Sequence, residues 1–147
     1  MKDFEFFVQD GGVKSQAPDA NLSDSLVKDS IRRLEYAKSS KLSDETAKYI
    51  YENAYESLRE AADAILFLKG YKSFSHEATV SFMQRFDELS AKEISEFNRM
   101  RVKRNGMKYY GKPCPVDDAR DATEFAEKLL RKLVTIQKKL RNNSAEL

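Results

Sequence analysis

The residues best suited to chemistry lie between Ser95 and Val116, in the stretch SEFNRMRVKRNGMKYYGKPCPV. Four cations fall within six positions there, and polar and aromatic groups follow at once: Arg99, Arg101, Lys103, Arg104, Asn105, Tyr109 and Tyr110. A site for a nucleoside phosphate or RNA needs fixed cations for the phosphate and often an aromatic face for the base. The sequence therefore predicts a phosphate-binding site in this stretch, at the break between a helix and the loop after it.

The same stretch also fits a purely structural role. Basic side chains near the C-terminus of a helix complement the helix dipole. Tyr109 and Tyr110 are equally suited to packing the following loop against the domain. A solvated helix end that binds no ligand is therefore an alternative interpretation.

The chain has one histidine, His76, and one cysteine, Cys114. An imidazole with an ordinary pKa of about 6.5 is suited to proton transfer or to contact with a phosphate. The alternative is a structural histidine that hydrogen-bonds a carbonyl of the preceding loop. With one residue of each kind, zinc-hydrolase and Cys-His protease sites lack the required groups. No cofactor is predicted.

Three carboxylates, Glu56, Glu60 and Asp63, lie one to two turns apart on a predicted helix. Such spacing can present an acidic ridge to a metal ion. Most ridges of this kind are solvated faces, and a di-metal site in a helical bundle also needs histidines at helical spacing. We therefore predict no metal site.

Composition restricts the broad class of protein. At 147 residues and 41% hydrophobic content, the chain is long enough for one domain with a core. Its 26 basic and 24 acidic residues nearly balance, which argues against a general polyanion-binding protein. The single cysteine fits a reducing compartment, and there is neither an apolar run of about 18 residues nor a signal-peptide pattern. The expected location is the cytoplasm, without membrane association.

Apolar residues recur at helical spacing, and no segment shows the two-residue period of a strand. The predicted helices cover about 23–39, Ser43 to Gly70, a segment opening at Ser75, a segment from the capping box at Ser90 to a break or kink at Gly106, and a segment from a cap at Asp117 or Asp118 to Leu140. The predicted fold is all-α, an up-and-down bundle of five helices, with a domain at 21–141 and a disordered tail at 142–147.

Residues 1–20 differ from the rest, because Gly11, Gly12 and Pro18 interrupt any regular element after a short apolar patch. We expect an N-terminal arm that packs on the surface of its own domain; the alternative is exchange of this arm with a second subunit. Aromatic residues beyond what the bundle needs favour a homodimer: Tyr36, Tyr49, Tyr55 and Phe67.

The segment LREAADAILFLKGYKSFSHEA, followed by RMRVKRNGMKYYG and a final amphipathic helix, resembles the HEPN (higher eukaryote and prokaryote nucleotide-binding) domain over 21–140. The spacing from Gly70 to His76 and the pair Arg104-Asn105 carry the resemblance. In ribonucleases of that family, which are metal-independent dimers, an arginine is followed four to six residues later by a histidine. Here Tyr109 and Tyr110 stand in the place of that histidine.

The resemblance implies a homodimer that binds a nucleotide or RNA phosphate in a basic cleft near the dimer axis. The residues it assigns to this cleft are Arg101, Arg104, Asn105, Tyr109, Tyr110 and His76. Tyrosine, with a reference pKa near 10, is a poor base at neutral pH, so inefficient cleavage is expected. Some family members pair with a minimal nucleotidyltransferase as toxin and antitoxin, which implies a partner of that kind.

Two other functions remain open at this point. One is a metal-independent endoribonuclease of the toxin type, with Arg104 and Tyr109 as its catalytic residues. The other is an interaction module whose basic stretch faces solvent and binds no nucleotide.

Overall fold

The computed structural model describes residues 1–145, with side chains for 1–143. In this part of the chain the helices are α1 (Phe4–Asp10), α2 (Ala20–Ser39), α3 (Ala47–Leu68), α4 (His76–Phe82), α5 (Ala91–Tyr110) and α6 (Val116–Ala145). Two short strands, β1 (Val13–Ser15) and β2 (Tyr71–Ser73), form an antiparallel pair, and a 3-10 turn spans Met83–Arg85. The all-α prediction is confirmed, with six helices in this part instead of five.

Helix α3 lies at the centre of the bundle and contacts α2, α6, α4, α5 and β2. Its alanines let the neighbouring helices approach closely, and Ala54, Ala61 and Ala62 are completely buried. The large side chains Leu58 and Ile65 fill the space between them. Burial of a side chain of that size stabilises a fold by roughly 1.5–3 kcal/mol. This helix therefore provides the rigid surface on which α4 and α5 are placed.

The first residues of the chain fold onto the same core. Phe4 and Phe7 of α1 are buried, and the ring of Phe4 lies 4.7 Å from that of Phe82. Strand β1 pairs with β2, with Val13 opposite Ser73. The predicted arm is thus a helix and a short strand, of which Phe4, Phe7 and Val13 belong to the core. No strand was predicted from the sequence, because a three-residue strand is too short to show an alternating pattern.

The sequence predicts that helix α5 ends or kinks at Gly106. The helix instead continues to Tyr110. Gly111, at φ 64°, supplies the left-handed residue that ends it. The side chain of Lys112 folds over Gly106, where a Cβ would lie 3.2 Å from Lys112 Cδ. A Cβ at Gly106 would require a small shift of the flexible Lys112 side chain. Asn105, Tyr109 and Tyr110 are helical residues instead of loop residues.

Three other boundaries differ from prediction. Helix α3 begins at Ala47, since Ser43 donates its backbone N–H to Thr46 Oγ1 in a preceding turn. Helix α6 begins at Val116, so Asp117 and Asp118 lie in its first turn. It also continues to Ala145, so 142–145 of the predicted disordered tail are helical, and 146–147 lie outside the described residues. Across 1–145, no helix has the combination of length and hydropathy that a membrane span requires.

Candidate anion-binding site

Arg104 points from α5 into the bundle. Its side chain is 7% exposed, and its Nη2 lies 3.3 Å from Glu56 Oε1 and 3.6 Å from Glu52 Oε1, both on α3. The continuous helix through Gly106 fixes this direction, because it holds Arg104 on the same face as the buried Met100 and Met107. The arginine of the predicted site is thus an interior residue held by two carboxylates.

A second arginine, Arg59 of α3, lies in the same layer. Its Nη2 and Nε contact Glu56 Oε2 at 2.6 and 2.9 Å, and its Nη1 contacts Asp63 Oδ2 at 2.6 Å. Asp63 also accepts a hydrogen bond of 2.8 Å from Thr79 Oγ1 of α4. Sequence reasoning missed Arg59, although Glu56 and Asp63 stand three and four residues from it, the spacing of helical ion pairs.

His76 is the first residue of α4, directly after the cap Ser75, whose hydroxyl accepts from the backbone N–H of Ala78. Its Nδ1 lies 3.0 Å from the hydroxyl of Tyr55, which is completely buried on α3. The guanidinium of Arg104 lies 5.8 Å from the centroid of the Tyr55 ring. His76 therefore contacts a tyrosine hydroxyl beneath an arginine. The structural alternative had placed its hydrogen bond on a carbonyl of the preceding loop.

Burial, together with the positive charge of Arg59, lowers the pKa of His76 from 6.5 to about 4. Arg104 and Arg101 act in the same direction, while the negative charge of Glu56 acts against it. His76 is consequently neutral at pH 7. Burial also raises the pKa of Tyr55, so its hydroxyl keeps its proton.

The third arginine, Arg101, lies at the edge of this group. Its Nη2 is 3.3 Å from Glu77 Oε1, and its Nε donates to Asn98 Oδ1 at 2.9 Å. Glu77 accepts a further hydrogen bond from the backbone N–H of Lys2, at 3.0 Å. The N-terminus of the chain is therefore tied to the edge of the site through one carboxylate.

We call the five side chains Tyr55, Arg59, His76, Arg101 and Arg104 the arginine–histidine cluster. Four carboxylates surround it: Glu52, Glu56, Asp63 and Glu77. Burial would raise the pKa of Glu56, but the hydrogen bonds from Arg59 and the charge of Arg104 outweigh it and lower that pKa. The buried Nε of Arg104 makes no hydrogen bond with any described residue. The cluster therefore contains a buried cationic donor with unused capacity.

The remaining predicted residues are divided between two surfaces. Asn105 Oδ1 lies 3.3 Å from Arg104 Nη1, so it belongs beside the cluster. Tyr109 and Tyr110 are 64% and 79% exposed, and it is Lys108 that lies over the Tyr109 ring, at 5.8 Å. The structure thus links His76 to Arg104 through Tyr55, whose hydroxyl contacts His76 and whose ring lies beneath Arg104. Both Tyr109 and Tyr110 are left on the outer surface of α5.

The other two cations of the basic stretch also face away from the cluster. Lys103 forms an ion pair with Asp118 of α6. Arg99 pairs with Glu96 of its own helix at 2.9 Å and is largely exposed. Lys103 and Arg99 are therefore paired with carboxylates outside the cluster.

The acidic ridge of α3 is not an open surface. Glu60 is buried and pairs with Arg33 of α2 at 2.8 Å, while Glu56 and Asp63 pair with Arg59. Among the residues that the structure describes, no group of three or more His, Cys, Asp or Glu side chains is placed to hold a metal ion.

No protein-family model matches the sequence, and no curated protein matches it at a significant level.

Proposed function

We propose that the chain is a HEPN-like homodimer that binds a phosphate of a nucleotide or RNA at the arginine–histidine cluster, without efficient cleavage. The observation that supports this proposal is that Arg59 and Arg104 share Glu56. Arg104 also lies over the ring of Tyr55, whose hydroxyl contacts His76. Guanidinium groups match phosphate oxygens in the same bidentate way as they match carboxylates.

A phosphate reaches the cluster by exchange with a carboxylate. Arg59 and Arg101 are the accessible members, with side chains 22% and 15% exposed. Glu77, the partner of Arg101, is half-buried and is held by a backbone amide as well, so it keeps a partner when Arg101 turns to a ligand. Arg104 then acts from beneath as a fixed positive charge close to the phosphate.

The exposed tyrosines supply the aromatic part of the proposed site. Tyr109 and Tyr110 offer ring faces on which bases stack, and Val102 is exposed on the same helix. An exposed apolar and aromatic helix surface is also what a subunit interface requires. In the proposed homodimer α5 of each chain lies near the dimer axis, so tyrosines of one chain approach the cluster of the other.

The arrangement within one chain disfavours an endoribonuclease that uses Arg104 and Tyr109. Arg104 is buried against α3, whereas Tyr109 is exposed and lies under Lys108. A neutral His76 with a pKa near 4 is also a weak base at pH 7. A minimal nucleotidyltransferase remains part of the proposal as a protein partner, supported by the family resemblance alone.

Calorimetric titration with a nucleoside 5′-monophosphate tests this function. Arg101→Gln removes an accessible charge of the cluster, and Arg99→Gln removes the same charge from the exposed side of the same helix. We expect Arg101→Gln to weaken binding by about tenfold or more, since hydrogen bonds to charged groups contribute roughly 1.5–3 kcal/mol. Equal affinities of the two variants would reject the site. If the wild type binds neither the nucleotide nor RNA, the interaction module is the remaining function.

A further inference from the structure

We infer that the groove between α2 and α6 is a docking site for an amphipathic helix of a protein partner. The apolar stripe of that helix enters the groove, and acidic side chains lie on both of its flanks. This surface is separate from the arginine–histidine cluster, whose residues belong to α3, α4 and α5. The inference therefore does not depend on the proposed phosphate binding.

Two open cavities adjoin along the groove, with volumes of about 490 and 330 Å³. Both are lined by side chains of α2 and α6. They share Ile31 of α2 together with Val134 and Lys138 of α6. The two cavities are therefore parts of one continuous depression.

An ion pair between the two helices marks each end of this depression. Lys38 contacts Glu127 at 2.9 Å, and Arg141 contacts Asp24 at 3.2 Å, so the two helices run antiparallel. The segment from Asp24 to Lys38 is about 21 Å long, given the rise per residue of an α-helix. A helix of about four turns has the same length. The groove therefore accommodates a partner helix lengthwise.

The floor of the groove is apolar. Leu34 of α2 and Leu130 of α6 are buried at its base. Ile31 is 37% exposed, and Val134 is only partly buried. A helix laid in such a groove is anchored by apolar side chains at positions i, i+3 or i+4, and i+7. Ile31 and Val134 therefore offer the apolar area that these anchors would cover.

The rim of the groove has an excess of positive charge. Its cations are Lys28, Lys38, Arg131, Lys138 and Arg141, and its carboxylates are Asp24, Glu35 and Glu127. One of these carboxylates is shared, because Glu127 contacts both Lys38 and Arg131, at 2.9 and 3.2 Å. The carboxylates of the rim therefore do not neutralise its cations.

The excess charge lies on both sides of the floor. Lys28 on the α2 side and Lys138 on the α6 side form no ion pair with any side chain that the structure describes, and Glu35 is unpaired as well. Complementary charges steer association and fix the register of a complex. An unpaired lysine on each side of an apolar floor therefore favours a helix with carboxylates on both flanks of its apolar stripe.

The probe is a fluorescent synthetic peptide of about four turns, held helical by a hydrocarbon staple, with leucines along one stripe and glutamates on both flanks. A second peptide has lysine in place of every glutamate. Fluorescence anisotropy with the full chain should show micromolar binding of the acidic peptide, and binding of the basic peptide at least about tenfold weaker. No binding of the acidic peptide, or equal affinities of the two peptides, would overturn the inference.

Two matched pairs of variants locate the peptide, after circular dichroism has confirmed folding. Lys138→Glu and Lys139→Glu change neighbouring exposed residues of α6, of which only Lys138 lines the groove. The first should weaken binding of the acidic peptide by about fivefold, and the second by less than about twofold. Ile31→Gln should weaken it by about fivefold, whereas Leu22→Gln, at a residue of α2 that is 39% exposed outside the groove, should not. Equal effects within each pair would contradict docking in this groove.

Sedimentation velocity of the wild type and Ile31→Gln tests a different occupant, a second copy of this chain. If the wild type is an oligomer that Ile31→Gln dissociates, a second copy covers the groove and the inference of a partner helix is wrong. The same oligomeric state in both proteins supports the inference, because the groove is then free to receive the partner.

Discussion

The hydroxyl of Tyr55 lies 3.0 Å from Nδ1 of His76, joining a fully buried residue of α3 to the first residue of α4. Arg104 covers the same tyrosine ring from α5, with its guanidinium 5.8 Å from the ring centroid. These contacts bring polar side chains of α3, α4 and α5 together in one layer of the bundle. The proposed phosphate site depends on this layer, because Tyr55 contacts both His76 and Arg104.

The neutral state of His76 predicts an acid sensitivity of the fold. Its pKa is about 4 in the folded protein and near 6.5 when unfolded, so between these values the unfolded chain binds more protons and stability falls as the pH falls. From pH 7 to pH 5 this contribution amounts to about 2 kcal/mol. Urea unfolding at both pH values should show that His76→Asn loses less stability than the wild type over this interval. An equal loss in both proteins would contradict the buried, neutral histidine.

The buried position of Arg104 predicts a large effect on stability. Arg104→Gln leaves Glu56 paired with Arg59 but without its second cation, and loss of this charged contact in the interior should cost about 1.5–3 kcal/mol. Arg99→Gln, the same change at a side chain that is 71% exposed, should cost at most about 0.5 kcal/mol. Thermal and urea unfolding of the two variants provides the comparison. Similar stabilities would show that Arg104 is solvated.

The folded N-terminal segment predicts a difference between two phenylalanines of α1. Phe4 is 5% exposed against Phe82 and Tyr71, so Phe4→Ala should cost about 3–5 kcal/mol. Phe6 is on the outer side of the same helix, 38% exposed, and its replacement by alanine should cost about 1 kcal/mol. If both variants unfold like the wild type, residues 1–20 form an arm outside the core.

The exposed tyrosines are predicted to affect RNA binding and not stability. Tyr110→Ala should leave the unfolding temperature within a few degrees of the wild type, since the ring is 79% exposed. Loss of one stacked base would weaken RNA binding by roughly 1–3 kcal/mol. Tyr36→Ala, an equivalent change on α2, is the control and should bind RNA like the wild type. An unchanged affinity in Tyr110→Ala would remove stacking from the proposal.

Much of the helical fold was predictable because its signals are local. The cap at Ser75, the capping box of Ser90 and Glu93, and the positive φ of Gly70 are all present as the sequence predicts. Gly106 was misread because two glycines lie near the end of α5, and it is Gly111 that takes the left-handed conformation and ends the helix. The N-terminal helix was missed because its apolar residues bury against Tyr71 and Phe82, which are distant in sequence.

The candidate site was predictable only in part, for a similar reason. The sequence identifies Arg101, Arg104 and His76 as polar groups with chemical capacity, but their relation to one another is set by α3. Arg59 and Tyr55 fall within a strongly apolar helix, where the pattern indicates core and conceals a polar layer. The direction of Arg104, inward from α5 and away from Tyr109, follows from helix continuity through Gly106 and not from spacing alone.

Phosphate binding at the arginine–histidine cluster is tested with labelled structured RNA in excess chelator, with retardation and cleavage measured on the same samples for wild type, Arg101→Gln and Arg99→Gln. We expect wild type and Arg99→Gln to retard the RNA without cutting it, and Arg101→Gln to retard it at least tenfold less well. Retardation that is equal in all three proteins would contradict phosphate binding at the arginine–histidine cluster. Metal-independent cleavage that disappears in Arg101→Gln would instead show that this site is a ribonuclease centre.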